Sequence, residues 1–318
     1  MRAFEDAAFD IVVIGEVNVD LLLYGEDVMP AFGQAEKLVD DAVLTVGSSS
    51  AIFAHQAARL GLRVAFVGKV GPDVFGEFMV DRLARASVET SAVVVDPGVK
   101  TGVTVHLIRG MDRAMLTYAG SIAALRPDEI DETLLADTRH VHLGSYFLQR
   151  GVQPGLPEVF ARARETGATT SLDPGWDPEE SWDSDLREVL AHTDVFLPNE
   201  QELLALAGGT ILEDALESFE ESLTVVVKRG DAGAVARGNG STVTCSPPRV
   251  DAVDSTGAGD SFDAGFLFGL LKGYDLERAL EAGCLCGALS TEKVGGVEAQ
   301  PDLGTLRPLV NREGGENR

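Results

Sequence analysis

At 318 residues and 45% apolar content, the chain is long enough to bury a sizeable core, as one large α/β domain or two smaller ones. Its 51 acidic against 26 basic residues leave a net charge of −25, which argues against non-specific nucleic-acid binding and against attraction to anionic membrane. The three cysteines, Cys245, Cys284 and Cys286, and the five scattered histidines fit neither a disulfide framework nor a zinc site, and the expected address is the reducing cytoplasm.

Residues 1–8 read as a frayed leader, too acidic and too short in apolar run for a signal peptide or a membrane span. Phe9 to Gly15 reads as a continuously apolar strand of the kind buried in a parallel sheet. Asn18 and Asp20 then project near its carboxyl end, where open α/β sheets gather their ligands. The glycines of a dinucleotide fingerprint are missing. Leu21 to Val46 is broken by Gly25, Pro30 and Gly33, and suggests an excursion out of the main sheet. Gly47 to Gly61 is a small-residue loop entering an amphipathic helix, with Ile52, Phe53, Ala57 and Leu60 on its apolar side and Ser49 and Ser50 as candidate caps. Arg63 to Gly76 adds a strand, a Gly-rich turn and another helix.

Lys100 to Tyr118 alternates as a hairpin should, with its turn near 110–112. Further strands are expected at Val141 to Gly144, Thr169 to Asp173, Val195 to Leu197 and Thr224 to Lys228. The helical stretches between them predict a mostly parallel sheet covered on both faces. The tail, 311–318, is polar and reads as disordered. Asp251 to Lys272 carries the densest signal. Gly257, Ala258 and Gly259 precede a run of Phe262, Phe266, Leu267, Leu270 and Leu271 at helical spacing, so the small residues open a helix whose free N–H groups suit an anion. Asp260 beside them either complements the helix dipole or accepts a proton from a hydroxyl attacking a phosphoryl group.

The run Asp254-Ser255-Thr256-Gly257-Ala258-Gly259-Asp260 resembles the second signature of the ribokinase-like (PfkB) carbohydrate kinases, D-[ST]-T-G-A-G-D. The resemblance, which extends from about Phe9 to Pro301, implies a three-layer α/β ribokinase-like fold over 9–310. Its mostly parallel central sheet would carry helices on both faces, with small β lid segments inserted at 18–47 and 100–118. It makes Asp260 the catalytic base and Gly257, Ala258 and Gly259 the anion hole. Asn18 and Asp20 match the family's first strand and loop, where the Asp binds sugar hydroxyls. Gly47 to Gly61 is similar to the first signature, G-G-x-x-x-N-x-A, and places Gly47, Ser48 and Ile52 on the substrate side. Two departures stand out there. Ser48 replaces the second glycine, and Ile52 replaces an Asn that hydrogen-bonds the sugar. The lost amide predicts poor use of ribose and fructose, and an acceptor that has a deoxy or apolar group near Ile52 or that uses Ser48 to Ser50 instead.

Pro198 to Glu202 resembles the family's N-x-x-E motif, which implies that Asn199 and Glu202 organise phosphate and Mg2+, Glu202 indirectly. Lys228 to Gly233 is similar to the T-x-G-x-x-G turn beside ATP and puts Lys228, Gly230 and Gly233 on the nucleotide, with Lys228 in the place of the Thr. Cys284 to Gly296 corresponds to the segment lining the adenine pocket and, in some members, a K+ site near Asp254 and Thr256. The implied activity is transfer of the γ-phosphoryl group of ATP to a hydroxyl of a sugar or sugar-like molecule, by a homodimer paired through the lid. A nucleoside kinase is the alternative favoured by the apolar Ile52 and Phe53. A non-catalytic regulatory sugar or nucleotide binder is the other, and the intact Asp260 and anion hole argue against it.

Overall fold

Strand β1 (Ile11–Ile14) sends Ile11 and Val13 into one hydrophobic cluster and Val12 and Ile14 into a second. A strand buried on both faces has no polar alternation, which accounts for the continuous apolar run. The computed structural model describes residues 7–110, 112–182 and 185–310. The expectations for 1–6 and for the tail 311–318 lie outside the described residues, as does the middle of the expected hairpin turn.

After β1 the chain forms β2 (Asn18–Tyr24) and β3 (Asp41–Val46), then helix α1 (Ser49–Arg59), strand β4 (Val64–Val70), helix α2 (Val74–Arg85) and the short strands β5 (Val88–Glu89) and β6 (Val93–Val95). The hairpin β7 (Gly102–Arg109) and β8 (Asp112–Tyr118) follows. Alternation then resumes with α3 (Glu132–Ala136), β9 (His140–Leu143), α4 (Leu156–Glu165), β10 (Thr169–Leu172), α5 (Leu186–Leu190), β11 (Val195–Phe196), α6 (Glu200–Ala207), α7 (Leu212–Glu217) and β12 (Thr224–Lys228). The chain closes with β13 (Ala234–Gly238), β14 (Ser241–Cys245), α8 (Ala258–Leu271), α9 (Leu276–Ser290) and α10 (Leu303–Val310).

The main sheet runs β14-β13-β12-β11-β10-β9-β1-β4-β5, with β6 also paired to β4. Its strands are parallel except β13 and β14, an antiparallel edge that the strand pattern of the sequence had not suggested. Helices α1, α8 and α9 cover one face and α4 to α7 the other, each over its own cluster. The second sheet is the small lid, β3-β2-β7-β8. Within it β3 starts later than the mixed run from Lys37 suggested, because Lys37 pairs with Asp27 at 2.6 Å instead of joining a ladder.

The topology places the site. From β1 the chain moves to β4 on one side, and later returns to β9 on the other, so the strand order reverses at β1. The crevice at the carboxyl ends of strands around such a reversal is where open α/β sheets bind ligands. The lid leaves β1 at that end. Cys284 and Cys286 are buried in α9 and all three cysteines are free. Among the described residues, no helix is long and apolar enough to cross a membrane.

Candidate active site

One cavity of about 560 Å³ lies between the lid and the carboxyl ends of the sheet, and it gathers most of the residues singled out from the sequence. Asn18, Asp20, Ser48, Ile52, Asn199, Glu202, Lys228, Gly230, Thr256, Gly257, Gly259 and Asp260 all line it. Gly47 lies just behind the wall. A Cβ there would come within 2.2 Å of Asp20 Oδ1 and 2.7 Å of Asn18 Nδ2, so only glycine lets the lid strand carry those side chains past the loop. Asn18 Nδ2 donates to Asp20 Oδ1 at 3.3 Å, and Asp20 Oδ2 lies 3.2 Å from His106 Nε2 on β7. Asp20 is buried with one oxygen against each neighbour, and only the Asn18 contact is a hydrogen bond, since both ring nitrogens of the buried His106 lack a hydrogen-bond partner among the described residues.

Ser48 shows why the family pattern has glycine at its position. Its φ of 68° is in the left-handed half of backbone space, a strain of order 1–3 kcal/mol for a side-chain-bearing residue. Two hydrogen bonds offset it. Ser48 Oγ accepts from Ala51 N at 2.9 Å as the cap of α1, and donates to the Glu16 carbonyl at 2.6 Å. The buried Glu16 carboxylate accepts in turn from Ser50 Oγ at 2.6 Å and Ser50 N at 3.3 Å. Burial nonetheless raises its pKa above the usual range. Ile52 lines the cavity but is itself buried. Its methyl groups pack against Gly257 and Gly296, where added Cβ atoms would meet them at 2.8 and 2.5 Å, while its carbonyl accepts from Gln300 at 2.9 Å.

Opposite this wall, Gly257 caps α8 with φ of +71°, a left-handed turn that swings the helix start towards the cavity. The expected trio of small residues divides on inspection. Ala258 N–H bonds Ser255 O at 3.3 Å, whereas among the described residues the amides of Gly259 and Asp260 have no protein acceptor. Those amides, at the positive end of a 14-residue helix, are free to meet an anion. Both oxygens of Asp254 are used within the protein, Oδ1 by Thr256 N and Oγ1 and Oδ2 by Gly295 N, so this carboxylate braces the loop to the segment after α9.

Beneath those amides lies a charge cluster that motif reading had only partly seen. Lys228 Nζ contacts Asp173 Oδ2 at 2.7 Å and Asp263 Oδ2 at 2.9 Å, and a Cβ on Gly259 would sit 3.7 Å from it. Burial disfavours the ammonium, yet Asp173, Asp263 and Glu202 outweigh it and raise its pKa. Burial also works against Asp173, but Lys228 and hydrogen bonds hold its carboxyl below the usual range. Asp263 moves well upward through burial and the charge of Asp173, and its Oδ1 has no hydrogen-bond partner. Asp260 is pushed up to about 7 by burial, with Asp173 and Glu16 adding to it against Lys228. Burial and Asp173 likewise push Glu202 up to about 7.

Asn199 and Glu202 form a capping box at the start of α6: Asn199 Oδ1 accepts from Glu202 N at 2.9 Å, and Glu202 Oε2 accepts from Asn199 N at 2.8 Å. Glu202 is buried, so a merely exposed helix-opening Glu does not describe it. Gly233 does not line this cavity, and a Cβ there would strike the Cys245 carbonyl at 2.0 Å. Glu16, Asp173, His106, Arg113 and Asp263 are the site residues that sequence reasoning missed. Asp173 had a signal: it follows β10 at the same carboxyl edge that drew attention to Asn18 and Asp20.

Residues 8–303 match the family described as pfkB family carbohydrate kinase. The chain belongs to that family. The kinase is 34% identical over 291 residues, 90% of this chain and 93% of the relative, to an ATP-dependent ribose-1-phosphate kinase of Halopiger xanaduensis. It is 32% identical over 245 residues, 77% of this chain and 97% of the relative, to an uncharacterized sugar kinase of Archaeoglobus fulgidus. Among solved structures, a putative ribokinase II from E. coli in complex with ATP and Mg2+ superposes on it with a TM-score of 0.82 at 26% identity, covering 96% of this chain and 100% of that one.

Proposed function

We propose that this carbohydrate kinase transfers the γ-phosphoryl group of ATP to a sugar hydroxyl, with Asp260 as general base. The observation that carries the reading is a carboxylate with a pKa of about 7 one residue from free amides at a helix N-terminus. A base poised near the working pH accepts the proton most effectively. The acceptor oxygen bonds to the γ-phosphorus as the bond to the bridging oxygen of ADP breaks, and the hydroxyl proton passes to Asp260. The amides of Gly259 and Asp260 stabilise the charge on the transferring phosphoryl oxygens, and Lys228 beneath them adds a fixed positive charge. Asp20, hydrogen-bonded by Asn18, holds the sugar.

The donor set suits Mg2+. Among the described residues no group of three or more His, Cys, Asp or Glu could cage a metal, and Mg2+ characteristically keeps waters and phosphate oxygens beside one or two carboxylates. Glu202 and Asp173 would hold it through such waters, and it would neutralise phosphate charge when bound. The ATP and Mg2+ of the E. coli structure support this assignment. The relatives' names extend from fructokinases to a ribose-1-phosphate kinase, so the acceptor class is a sugar or a charged derivative of one. We also infer a homodimer through the outer lid face, where Leu44, Leu21, Val105 and Leu116 align across the four strands and Leu116 is 59% exposed. The deciding experiment measures ADP release with Mg2+ and ATP across a sugar panel, for the wild type and Asp260→Asn. Equal rates in the two proteins would remove Asp260 from the mechanism.

A further inference from the structure

Charge is unevenly distributed in the cavity. Glu16, Asp20, Asp173, Glu202 and Asp260 bring carboxylates to its wall, against Lys228 and Arg113. Lys228 is already held between Asp173 and Asp263. Arg113 is different. It forms no ion pair among the described residues, and its Nη1 donates at 3.0 Å to Thr256 Oγ1, a hydroxyl that donates its own hydrogen bond to Asp254 Oδ1. A guanidinium has five N–H donors in a planar fork, so most of this one remains uncommitted.

Register places Arg113 on the acceptor side. In the lid Asp20 pairs with Thr104 and Thr104 with Thr117, while His106 pairs with Met115 and Ile108 with Arg113. Thr117, Met115 and Arg113 therefore alternate onto the face that carries Asp20, Thr104 and His106, and all six line the cavity. A sugar held by Asp20 at one end of this face has Arg113 towards the other end, beside Thr256.

We propose that Arg113 reads an anionic substituent on the acceptor, a phosphate ester or a carboxylate, so that the enzyme prefers a charged sugar to its neutral parent. The proposal rests on the kinase reading above. A chain of net charge −25 with this many carboxylates in one cavity repels an anionic acceptor unless a local cation receives it. An unpaired guanidinium does so with two parallel hydrogen bonds, the geometry that phosphate and carboxylate share.

The test uses the full chain with ATP and Mg2+, reading ADP release as kcat/KM for acceptors paired by charge. Ribose is set against ribose 1-phosphate and fructose against fructose 6-phosphate for the ester; 2-deoxyglucose against 2-deoxygluconate tests the acid. The expected result is at least a ~10-fold preference for the charged member in one class of pair, which also identifies the source of the charge. Arg113→Met should cut that preference by about 10-fold, and Arg113→Lys should restore part of it as a bare charge. Preference for the neutral member in every pair would overturn the proposal. So would an equal loss on both members in Arg113→Met, which is what a lid latch on Thr256 or a contact to the transferring phosphoryl group would give. Absence of ADP release with every acceptor would instead sink the kinase reading, and this inference with it.

Discussion

On the body side of the cavity, Lys228 joins the buried Asp173 and Asp263, whereas on the lid side every residue of β8 is exposed and Arg113 reaches the body through one hydroxyl. Substitutions on the two sides should therefore have different consequences. Charges buried together are costly to separate, so the body side is pre-organised and intolerant of change. The exposed strand can change side chains with little loss of stability, so Arg113 is free to vary while the buried cluster stays constant.

The largest effect should come from the body. Asp260→Asn keeps the shape and removes the base, so turnover should fall by ~10²- to 10⁴-fold while ATP affinity is largely kept. The same variant tests the electrostatics. With its folded pKa of about 7 raised above the ordinary 3.8, Asp260 holds its proton more tightly when folded. Its contribution to stability is therefore full below 3.8 and lost as pH rises towards 7. Asp260→Asn should melt above the wild type at pH 8 and show no such gain near pH 4; a higher melting temperature at both would show that charge is not the reason.

Lys228→Met would leave Asp173 and Asp263 facing each other without a cation, a loss of about 3–5 kcal/mol measured by denaturant unfolding. Adding Asp263→Asn should return part of it, and failure to do so would mean that the cluster does not act as a unit. The wild-type pH profile should show kcat/KM rising through about pH 7 as Asp260 loses its proton. A flat profile between pH 6 and 8 would contradict that assignment.

Smaller effects belong to the lid. Gly47→Ala pushes on Asp20 and should raise KM for the acceptor by about 10-fold with KM for ATP unchanged, since the collision is confined to the sugar side. Equal changes in both constants would make Gly47 a general folding position. Leu116→Glu on the outer face should convert the dimer to monomer in light scattering with little change in melting temperature. A wild type that is already monomeric would remove the dimer proposal.

Much of this architecture was readable from local pattern. The apolar run of β1 announced a strand covered on both faces, and the spacing after Gly259 announced α8, because both signals depend on a few consecutive residues. The motif from Asp254 to Asp260 likewise pointed to a helix start with free amides beside a carboxylate, since both come from one turn of chain. Only the tertiary structure decided the environment of those groups. Lys228 meets Asp173 and Asp263 across 55 and 35 positions of sequence, and Asp260 owes its raised pKa to burial and to that cluster. The roles of Gly47 and Arg113 are equally non-local: one is defined by side chains on β2 and the other by a hydroxyl 143 residues away. Local sequence specifies backbone periodicity and the chemistry available at each position, whereas a charge acquires its energy from neighbours that folding brings within a few ångströms.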